Sequence, residues 1–433
     1  MNNLKFKQMS HNENSRNFLA ILFGMGSQIL IQLISIPIFL HFLSISDFAI
    51  WIVAFNVAQF SNFMDLGTIT SNQNLFPYLI KKGKSAEISK RISHNIFLIS
   101  FNYLTLIVIF TLVVILFGIH TSFFLTICFG FSVYLQSVFG IIEAIKRMNG
   151  KNSSGLNLSS LARLVEFGAY TFSLVIGFTN LLIVGLTGLL SKFLLFCFVK
   201  LRDQELRLLQ FFPNFDFQVF KEMIQNGIPY TIVKISDTIS LSGIILVIHS
   251  KFSATSLLLF MSFRTFLRFG FQFCNLINFT FYFELSRNWA NNSFLLFKKN
   301  VRINFLLSFA FGSVLVFLFT IFGDTIYSSW THNKFSLGTS TLYCGIFYLF
   351  VMILSQSQKI QFHSVNANLY VSIISLLGSL FCIIYLLIDK TMVKPSQVFI
   401  LLGFVEIFCI LMIWLRTETI IRNVFKLHDE DIQ

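Results

Sequence analysis

Residues 303–322 have the sequence INFLLSFAFGSVLVFLFTIF, which contains no Asp, Glu, Lys or Arg. A helix that crosses a lipid bilayer needs roughly 20 mostly apolar residues, and about a dozen stretches of this kind follow one another along the 433-residue chain. Only 12% of the residues are charged and 55% are hydrophobic, whereas soluble domains carry about 25% charged residues. The sequence therefore predicts an all-α, multi-pass membrane protein and excludes soluble globular, disordered and fibrous chains.

The apolar stretches predict about twelve transmembrane helices in two six-helix bundles. Their approximate bounds are 18–43, 48–66, 96–117, 121–143, 155–178, 180–200, 228–249, 254–281, 303–322, 337–358, 366–388 and 396–415. The longest polar break, which contains Pro213, separates the sixth span from the seventh. We therefore predict an N-terminal bundle over 1–200, a cytoplasmic linker over 201–227 and a C-terminal bundle over 228–433.

Two short features accompany this division into halves. In the linker, residues 215–224 are amphipathic and suit a helix that lies along the inner membrane surface. The sequences FLSIS (42–46) and FSATS (252–256) occupy the same place in each half, just before its second helix. They are a faint trace of a parallel repeat, since six spans return each half to the same orientation.

Lys and Arg are concentrated in alternate loops, and cytoplasmic loops are the ones enriched in these residues. If the N-terminus is cytoplasmic, the outside loops hold few cations: Lys251, Lys334, Lys390 and Lys394. Both termini are therefore predicted to be cytoplasmic, and the net charge of +13 needs no nucleic-acid partner. The outside loops are too short for a catalytic domain. The six cysteines lie in apolar runs without a CxxC pair, so no metal site is predicted.

Polar residues form a stripe on each of two predicted spans. In span 8 the spacing of four, four, three and three residues places five side chains on one helix face: Arg264, Arg268, Gln272, Asn275 and Asn278. Span 2 carries a second stripe, with a carboxylate near its inner end: Asn56, Gln59, Asn62 and Asp65. Facing stripes would line a central cavity, whereas the structural alternative is that these side chains join helices to each other.

Other ionisable residues lie inside spans, where they are costly and usually face protein or a watery cavity. Two pairs are three residues apart on one helix and can form ion pairs or relays: Lys234 with Asp237, and Arg163 with Glu166. Lys192 is predicted to extend to the inner membrane surface. Glu406 stands alone on span 12, where it could couple an ion or remain a neutral, hydrogen-bonded acid.

The chemistry of these side chains favours an anionic ligand that carries sugars. The planar guanidinium of arginine binds phosphate through paired hydrogen bonds. Asn and Gln both donate and accept, which suits sugar hydroxyls. A hydrophobic cation would fit such a cavity poorly.

Two stretches carry a resemblance to a known family: FMDLGTITSNQN (Phe63–Asn74) and IPYTIVKISDTISL (Ile228–Leu241). With the twelve-span layout, they make the chain resemble the Wzx-type O-antigen flippases and other polysaccharide exporters of the multidrug/oligosaccharidyl-lipid/polysaccharide (MOP) superfamily. The first stretch is similar to the family's Asp-Leu-Gly at the end of span 2. The second is similar to its span 7 opening, with Asp237 at the family's acidic position. The resemblance covers most of the chain through layout and pattern.

The resemblance implies a MATE-like pair of bundles that works by alternating access in the bacterial cytoplasmic (inner) membrane. The substrate would be an undecaprenyl-pyrophosphate-linked oligosaccharide, an O-antigen or related unit, moved from the cytoplasmic to the periplasmic leaflet. The span 8 and span 2 stripes, with Lys234 and Arg163, would bind it. The lipid tail would stay among membrane lipids, and other polysaccharide-assembly proteins are possible partners.

Transport of this kind would be coupled to an H⁺ or Na⁺ gradient through acidic residues: Asp237, Glu166, Glu406 and Asp65. The sequence contains no G-x-x-x-x-G-K-[ST] motif, so we expect no direct use of ATP and no cofactor. A MATE-like antiporter of small molecules or drugs is the alternative, and it predicts a cavity dominated by carboxylates. A membrane enzyme would need a larger outside loop, and a scramblase or structural protein would not need deep arginines.

Overall fold

The computed structural model of this chain describes residues 11–81, 83–117, 123–149, 151–203, 216–291, 293–365, 367–388 and 394–432. These residues form helices, turns and short connections, with no β-strand among them. A 3-10 helix (Gln59–Phe63) and a π-helix (Ile239–Gly243) interrupt the α-helices. The α-helices are α1 (His11–Phe42), α2 (Ile45–Ala58), α3 (Thr68–Lys81), α4 (Ser85–Phe117), α5 (Phe123–Met148), α6 (Asn152–Val175), α7 (Leu181–Arg202), α8 (Phe217–Thr238), α9 (Ile244–Lys251), α10 (Ala254–Ala290), α11 (Phe294–Trp330), α12 (Thr339–Ser364), α13 (Asn368–Ile388) and α14 (Pro395–Ile432).

Every predicted span overlaps one or more of these helices, so the all-helical fold is confirmed. Nine segments of the described residues are long and apolar enough to cross a bilayer: Leu22–Phe42, Phe123–Arg147, Leu181–Arg202, Phe217–Lys251, Ala254–Trp289, Phe294–Trp330, Thr339–Ser364, Leu369–Ile388 and Pro395–Thr417. These segments indicate a multi-pass membrane protein. The count of twelve crossings and the cytoplasmic position of both termini remain predictions.

Helix α3 was not predicted from the sequence. Its mixed polar and apolar composition is too polar for a span, but one face is apolar and buried, through Ile69, Phe76 and Leu79. This face packs in a core cluster with Ile92 of α4 and Ile142 of α5. The helix therefore forms because it can bury a stripe against its neighbours, not because it is long and apolar.

The chain packs as two compact units, residues 1–238 and 239–433. Helix α8 begins at Phe217, so residues 217–224 are its first turns and not the separate surface helix that the sequence suggested. Residues 204–215 of the predicted linker lie outside the described residues. The predicted domain bounds at 200 and 228 remain a prediction.

The two short matching sequences, FLSIS and FSATS, are equivalent helix starts. Ser44 begins α2, and its Oγ accepts a hydrogen bond from the backbone N–H of Asp47 at 3.1 Å. Ser253 begins α10, and its Oγ accepts from the N–H of Ser256 at 3.3 Å. Both serines have extended backbone and satisfy an N–H that the first helical turn leaves without a partner. The faint repeat therefore marks a shared capping role.

The Asp-Leu-Gly stretch forms a tight turn in the first unit. Leu66 and Gly67 both have left-handed backbone, with φ of 46° and 66°. The turn lies directly on the backbone of α8, because a Cβ atom added to Gly227 would be 2.2 Å from the carbonyl oxygen of Leu66. A Cβ atom on Gly67 would in turn be 2.3 Å from the carbonyl oxygen of Gly227. Glycine at both positions is what permits this approach.

We predict that Gly227→Ala lowers the midpoint of thermal unfolding of the detergent-purified protein. Overpacking of this kind costs about 1–3 kcal/mol, and the atom that a new methyl group meets here is backbone, which cannot rotate away. The matched control is Gly168→Ala, a helical glycine with open space around its Cβ position. Equal midpoints for the two variants would contradict the close packing of the turn on α8.

Candidate functional site

The two stretches that carried the resemblance meet at a buried ion pair in the first unit. The Asp65 side chain is 1% exposed, and its Oδ2 accepts a hydrogen bond from Lys234 Nζ at 2.6 Å. Its Oδ1 accepts from the N–H of Gly67 at 3.2 Å. Lys234 thus binds a carboxylate 169 residues away in sequence, and its expected pairing with Asp237 remains a prediction. Asp237 is exposed, whereas a buried carboxylate has the greater need for a counter-charge.

A second ion pair corrects two further expectations. Lys192 is 2% exposed and does not extend to the membrane surface. Its Nζ donates to Glu166 Oε2 at 2.8 Å and to Ser132 Oγ at 3.0 Å. Glu166 Oε1 accepts from Ser132 Oγ and from the Tyr170 hydroxyl, both at 2.5 Å. We call Lys192, Glu166, Ser132 and Tyr170 the Glu166 site.

Arg163 lies near this site but does not form the predicted pair with Glu166, whose Oε2 is bound by Lys192. Its charge attracts both Glu143 and Glu166 at longer range. In α2 and the 3-10 helix, the three amides bond locally. Asn56 Nδ2 donates to the Ile52 carbonyl at 2.8 Å, and Asn62 Nδ2 donates to Gln59 Oε1 at 2.6 Å. Asn56 is buried, and Gln59 and Asn62 are half-buried. Their predicted binding of substrate remains a prediction.

In the second unit, Arg264 binds the π-helix. It is 5% exposed, and its Nη1 and Nη2 donate to the carbonyl oxygens of Leu241 and Ser240, both at 3.0 Å. A π-helix displaces carbonyls from the regular α-helical pattern, so they need other donors. The Ser240 hydroxyl also bonds Ser379 of α13. Carbonyl dipoles hold the guanidinium in place, but they do not cancel its charge.

The five residues of the predicted stripe on α10 differ in their contacts and in their burial. Asn278, at its inner end, is fully buried, and its Oδ1 accepts from Asn304 Nδ2 of α11 at 3.0 Å. It joins two helices, as the structural alternative expected. Arg268, Gln272 and Asn275 are half-buried between these two ends. All five residues lie on α10, and their role in substrate binding remains a prediction.

Glu406 is not alone. Its Oε2 accepts from Lys359 Nζ at 2.9 Å and from Ser355 Oγ at 2.5 Å. Lys359 lies one residue beyond the predicted span 337–358, but α12 continues to Ser364 and carries the lysine on its last turns. Tyr348 lies within electrostatic range of this pair and also of Arg264 and Arg268. The interior of the second unit therefore places three cations and Glu406 around one tyrosine, among the residues that the structure describes.

The sequence reasoning missed a cluster of charges where α8 begins. Arg91 of α4 is 3% exposed and donates to Glu87 Oε1 and to Glu222 Oε2, each at 2.9 Å. The backbone N–H of Asp216 donates to His94 Nε2 at 3.0 Å. A hydrogen bond from Lys90 lowers the pKa of Asp216. In the sequence, Lys84, Lys90 and Arg91 surround a single acid, Glu87, and this basic segment was interpreted only as a signal of membrane topology.

No metal or disulfide chemistry is evident within the described ranges. No group of three or more His, Cys, Asp or Glu side chains there could hold a metal ion. The cysteines are free thiols: Cys128, Cys197, Cys274, Cys344, Cys382 and Cys409.

We predict that the two halves of the Asp65–Lys234 pair respond unequally to neutralisation. Lys234→Met leaves a fully buried carboxylate without its counter-charge and should cost about 3–5 kcal/mol. Asp65→Asn should cost less, because the Lys234 side chain is 30% exposed and can reach water. The double variant should recover part of the loss. Thermal unfolding of the four proteins, as a double-mutant cycle, provides the measurement.

The matched control for this cycle is Lys84→Met, which breaks the exposed pair with Glu87. Exposed pairs contribute only about 0–1 kcal/mol, so its unfolding midpoint should stay near that of the wild type. An additive cycle at Asp65 and Lys234 would refute a coupled pair.

The fold of this chain occurs among known transporters. No protein-family model matches the sequence, and a search of the curated proteins finds no match. The inward-facing form of a multidrug resistance MATE family transporter of the MOP superfamily matches with a TM-score of 0.65 and 13% identity, over 92% of this chain and 99% of that one. Lipid II flippase MurJ in its inward closed conformation matches with a TM-score of 0.66 and 14% identity, over 94% and 88%.

A third solved structure is a MOP superfamily transporter from Pyrococcus furiosus, whose binding pocket is described as having reverse polarity. It matches with a TM-score of 0.63 and 13% identity, over 96% of each chain. Similarity at these identities concerns the fold. The chain has the MATE-like fold that transporters of the MOP superfamily share with a lipid II flippase.

Proposed function

We propose that this chain is a flippase in the bacterial cytoplasmic membrane. Its substrate is an undecaprenyl-pyrophosphate-linked oligosaccharide, an O-antigen or related surface polysaccharide unit. The head group moves from the cytoplasmic to the periplasmic leaflet by ion-coupled alternating access, while the lipid tail stays in the bilayer. Partners are the lipid-linked glycan, membrane lipids and other polysaccharide-assembly proteins.

One observation carries this proposal: Arg264 is a buried cation whose hydrogen-bond partners are neutral carbonyls. Two interior lysines, the buried Lys192 and the half-buried Lys359, have the carboxylate partners Glu166 and Glu406. Arg264 differs from them, because its charge remains available to an anion that approaches. Its Nε atom is buried and has no hydrogen-bond partner among the described residues. A pyrophosphate supplies both the negative charge and the acceptors that such a guanidinium lacks.

The neighbouring residues complete the proposed site. Arg268, Gln272 and Asn275 are half-buried on the same helix face and can reach a head group. Asn and Gln would bond sugar hydroxyls, and Arg268 would add a second positive charge. Asn278 is already bonded to α11, so we now assign it a structural role beside its predicted one.

The fold similarity is compatible with this proposal and with its alternative. Lipid II flippase MurJ is named for a lipid-linked substrate, whereas the MATE structures are named for multidrug resistance. The pocket of the Pyrococcus furiosus transporter is described as suggesting a different function because of its polarity. Polarity is likewise the feature on which we separate the two functions here. The acidic members Asp65, Glu166 and Glu406 each have a lysine partner, so they do not make the interior anionic.

The alternative is a MATE-like antiporter of small molecules or drugs. One observation favours it: the half-buried carboxylates Glu166 and Glu406 each accept hydrogen bonds from a lysine and from a hydroxyl, an arrangement that suits ion coupling. A flippase coupled to an ion gradient needs such sites as well. The carboxylates therefore support ion coupling without choosing the substrate.

The test is deletion of the gene in its host, followed by complementation. We expect the deletion to remove the surface glycan and to accumulate the lipid-linked precursor. The wild-type gene should restore the surface glycan. The variant Arg264→Ala/Arg268→Ala should restore at least about tenfold less surface glycan, because each lost charge-assisted hydrogen bond costs about 1.5–3 kcal/mol. Lys299→Ala/Arg302→Ala removes two exposed cations and is the matched control.

Variants must be compared at equal amounts in the membrane, so that a folding defect is not read as lost transport. The deletion strain could instead keep its surface glycan and change its drug susceptibility. That result would contradict the flippase proposal and favour the antiporter. A full rescue by the double arginine variant would support the flippase function but show that the two arginines are not part of its binding site.

A further inference from the structure

The Glu166 site is built of oxygen atoms around an ammonium group. Lys192 Nζ contacts one carboxylate oxygen of Glu166 and the hydroxyl oxygen of Ser132. The second carboxylate oxygen accepts from Ser132 and from Tyr170. The Lys192 side chain is 3% exposed and that of Glu166 is 13% exposed. Carboxylate and hydroxyl oxygens in a buried site are also the ligands that hard metal cations prefer.

Aromatic rings and a glycine pack closely around Tyr170 in the Glu166 site. The Tyr170 ring packs edge-on against Trp51 and Phe129, with ring centroids 5.1 and 6.3 Å apart. It also fills the space beside Gly188 of α7, where a Cβ atom would lie 1.9 Å from the ring. Ser132 comes from α5, Glu166 and Tyr170 from α6, and Lys192 from α7. Ser132 and Glu166, from two helices, therefore place two oxygen atoms against the Lys192 ammonium from a third, and Tyr170 binds the other carboxylate oxygen.

We infer that the Lys192 ammonium is a tethered cation that takes the place of a sodium ion in the Glu166 site. A carboxylate with two hydroxyl partners and no lysine would attract a free monovalent cation from solution. With the ammonium present, a second cation would meet like charge in a region of low dielectric constant, where repulsion is strong. The site therefore does not bind Na⁺.

Lys192 and Glu166 form an ion pair, and the hydrogen bond between them joins the two charges. The inference concerns the ion and not the transported molecule, so it holds equally for a flippase and for an antiporter.

The test compares three purified proteins in detergent: wild type, Lys192→Met and the double variant Lys192→Met/Glu166→Gln. Thermal unfolding is recorded in NaCl and in choline chloride of equal ionic strength, with increasing Na⁺. Lys192→Met removes the ammonium but keeps the oxygen atoms. We expect its unfolding midpoint to rise with Na⁺ and to saturate, because a ligand that binds only the folded state stabilises it. The double variant, which also lacks the carboxylate, should lose this response.

Wild type should respond to Na⁺ no more than the double variant does. A larger, saturable Na⁺ response in wild type would overturn the inference, since the site would then bind Na⁺ with its lysine in place. A folded Lys192→Met protein that ignores Na⁺ would overturn it too.

If Lys192→Met does not survive purification, Lys192→Gln keeps a polar side chain of similar length and takes its place. If neither single variant is obtained, the comparison of wild type with the double variant shows whether the wild-type site binds Na⁺. A Na⁺ response present in wild type and absent from the double variant contradicts the inference, and equal responses support it.

Discussion

An ionised side chain in the hydrocarbon of a bilayer must find its partner inside the protein, because lipid tails offer neither counter-charge nor hydrogen bonds. This constraint organises the interior of both units. Lys234 is bonded to Asp65, Lys192 to Glu166 and Lys359 to Glu406. Lys192 and Glu166 join α7 to α6, Lys359 and Glu406 join α12 to α14, and Lys234 of α8 binds Asp65 in the turn before α3. Removing the lysine of a pair would leave a carboxylate without its counter-charge, so these pairs stabilise the packing of the elements they join.

Arg264 satisfies the same constraint by other means. Its partners are carbonyl groups of the π-helix, which need donors and supply no negative charge. The π-helix begins at Ile239, the first residue of the second compact unit. A cation that stabilises irregular backbone in this way stays attractive to an anion. Structural and binding roles can therefore belong to one side chain, since an incoming phosphate would compete with the carbonyls for the guanidinium.

The sequence predicts the helices well because their signal is local. Apolar length locates the spans, and Ser44 and Ser253 begin two of them as capping residues. The ion pairs could not be predicted in the same way. Lys234 and Asp65 are 169 residues apart, and the nearest acid in sequence, Asp237, was preferred because helical spacing is all that a sequence provides. Helix α3 was missed because its burial depends on neighbours, and the π-helix has no apolar pattern that distinguishes it.

The central claim is that the interior accepts a pyrophosphate-linked glycan. The most direct measurement is flipping by the purified chain in proteoliposomes, with a fluorescent undecaprenyl-pyrophosphate-linked oligosaccharide and a membrane-impermeant quencher. The same glycan on an uncharged polyprenol is the comparison lipid. The account predicts protein-dependent flipping of the pyrophosphate-linked lipid well above that of the uncharged lipid. Equal flipping rates for the two lipids would contradict it. So would a protein that flips neither lipid but exchanges a cationic drug for protons.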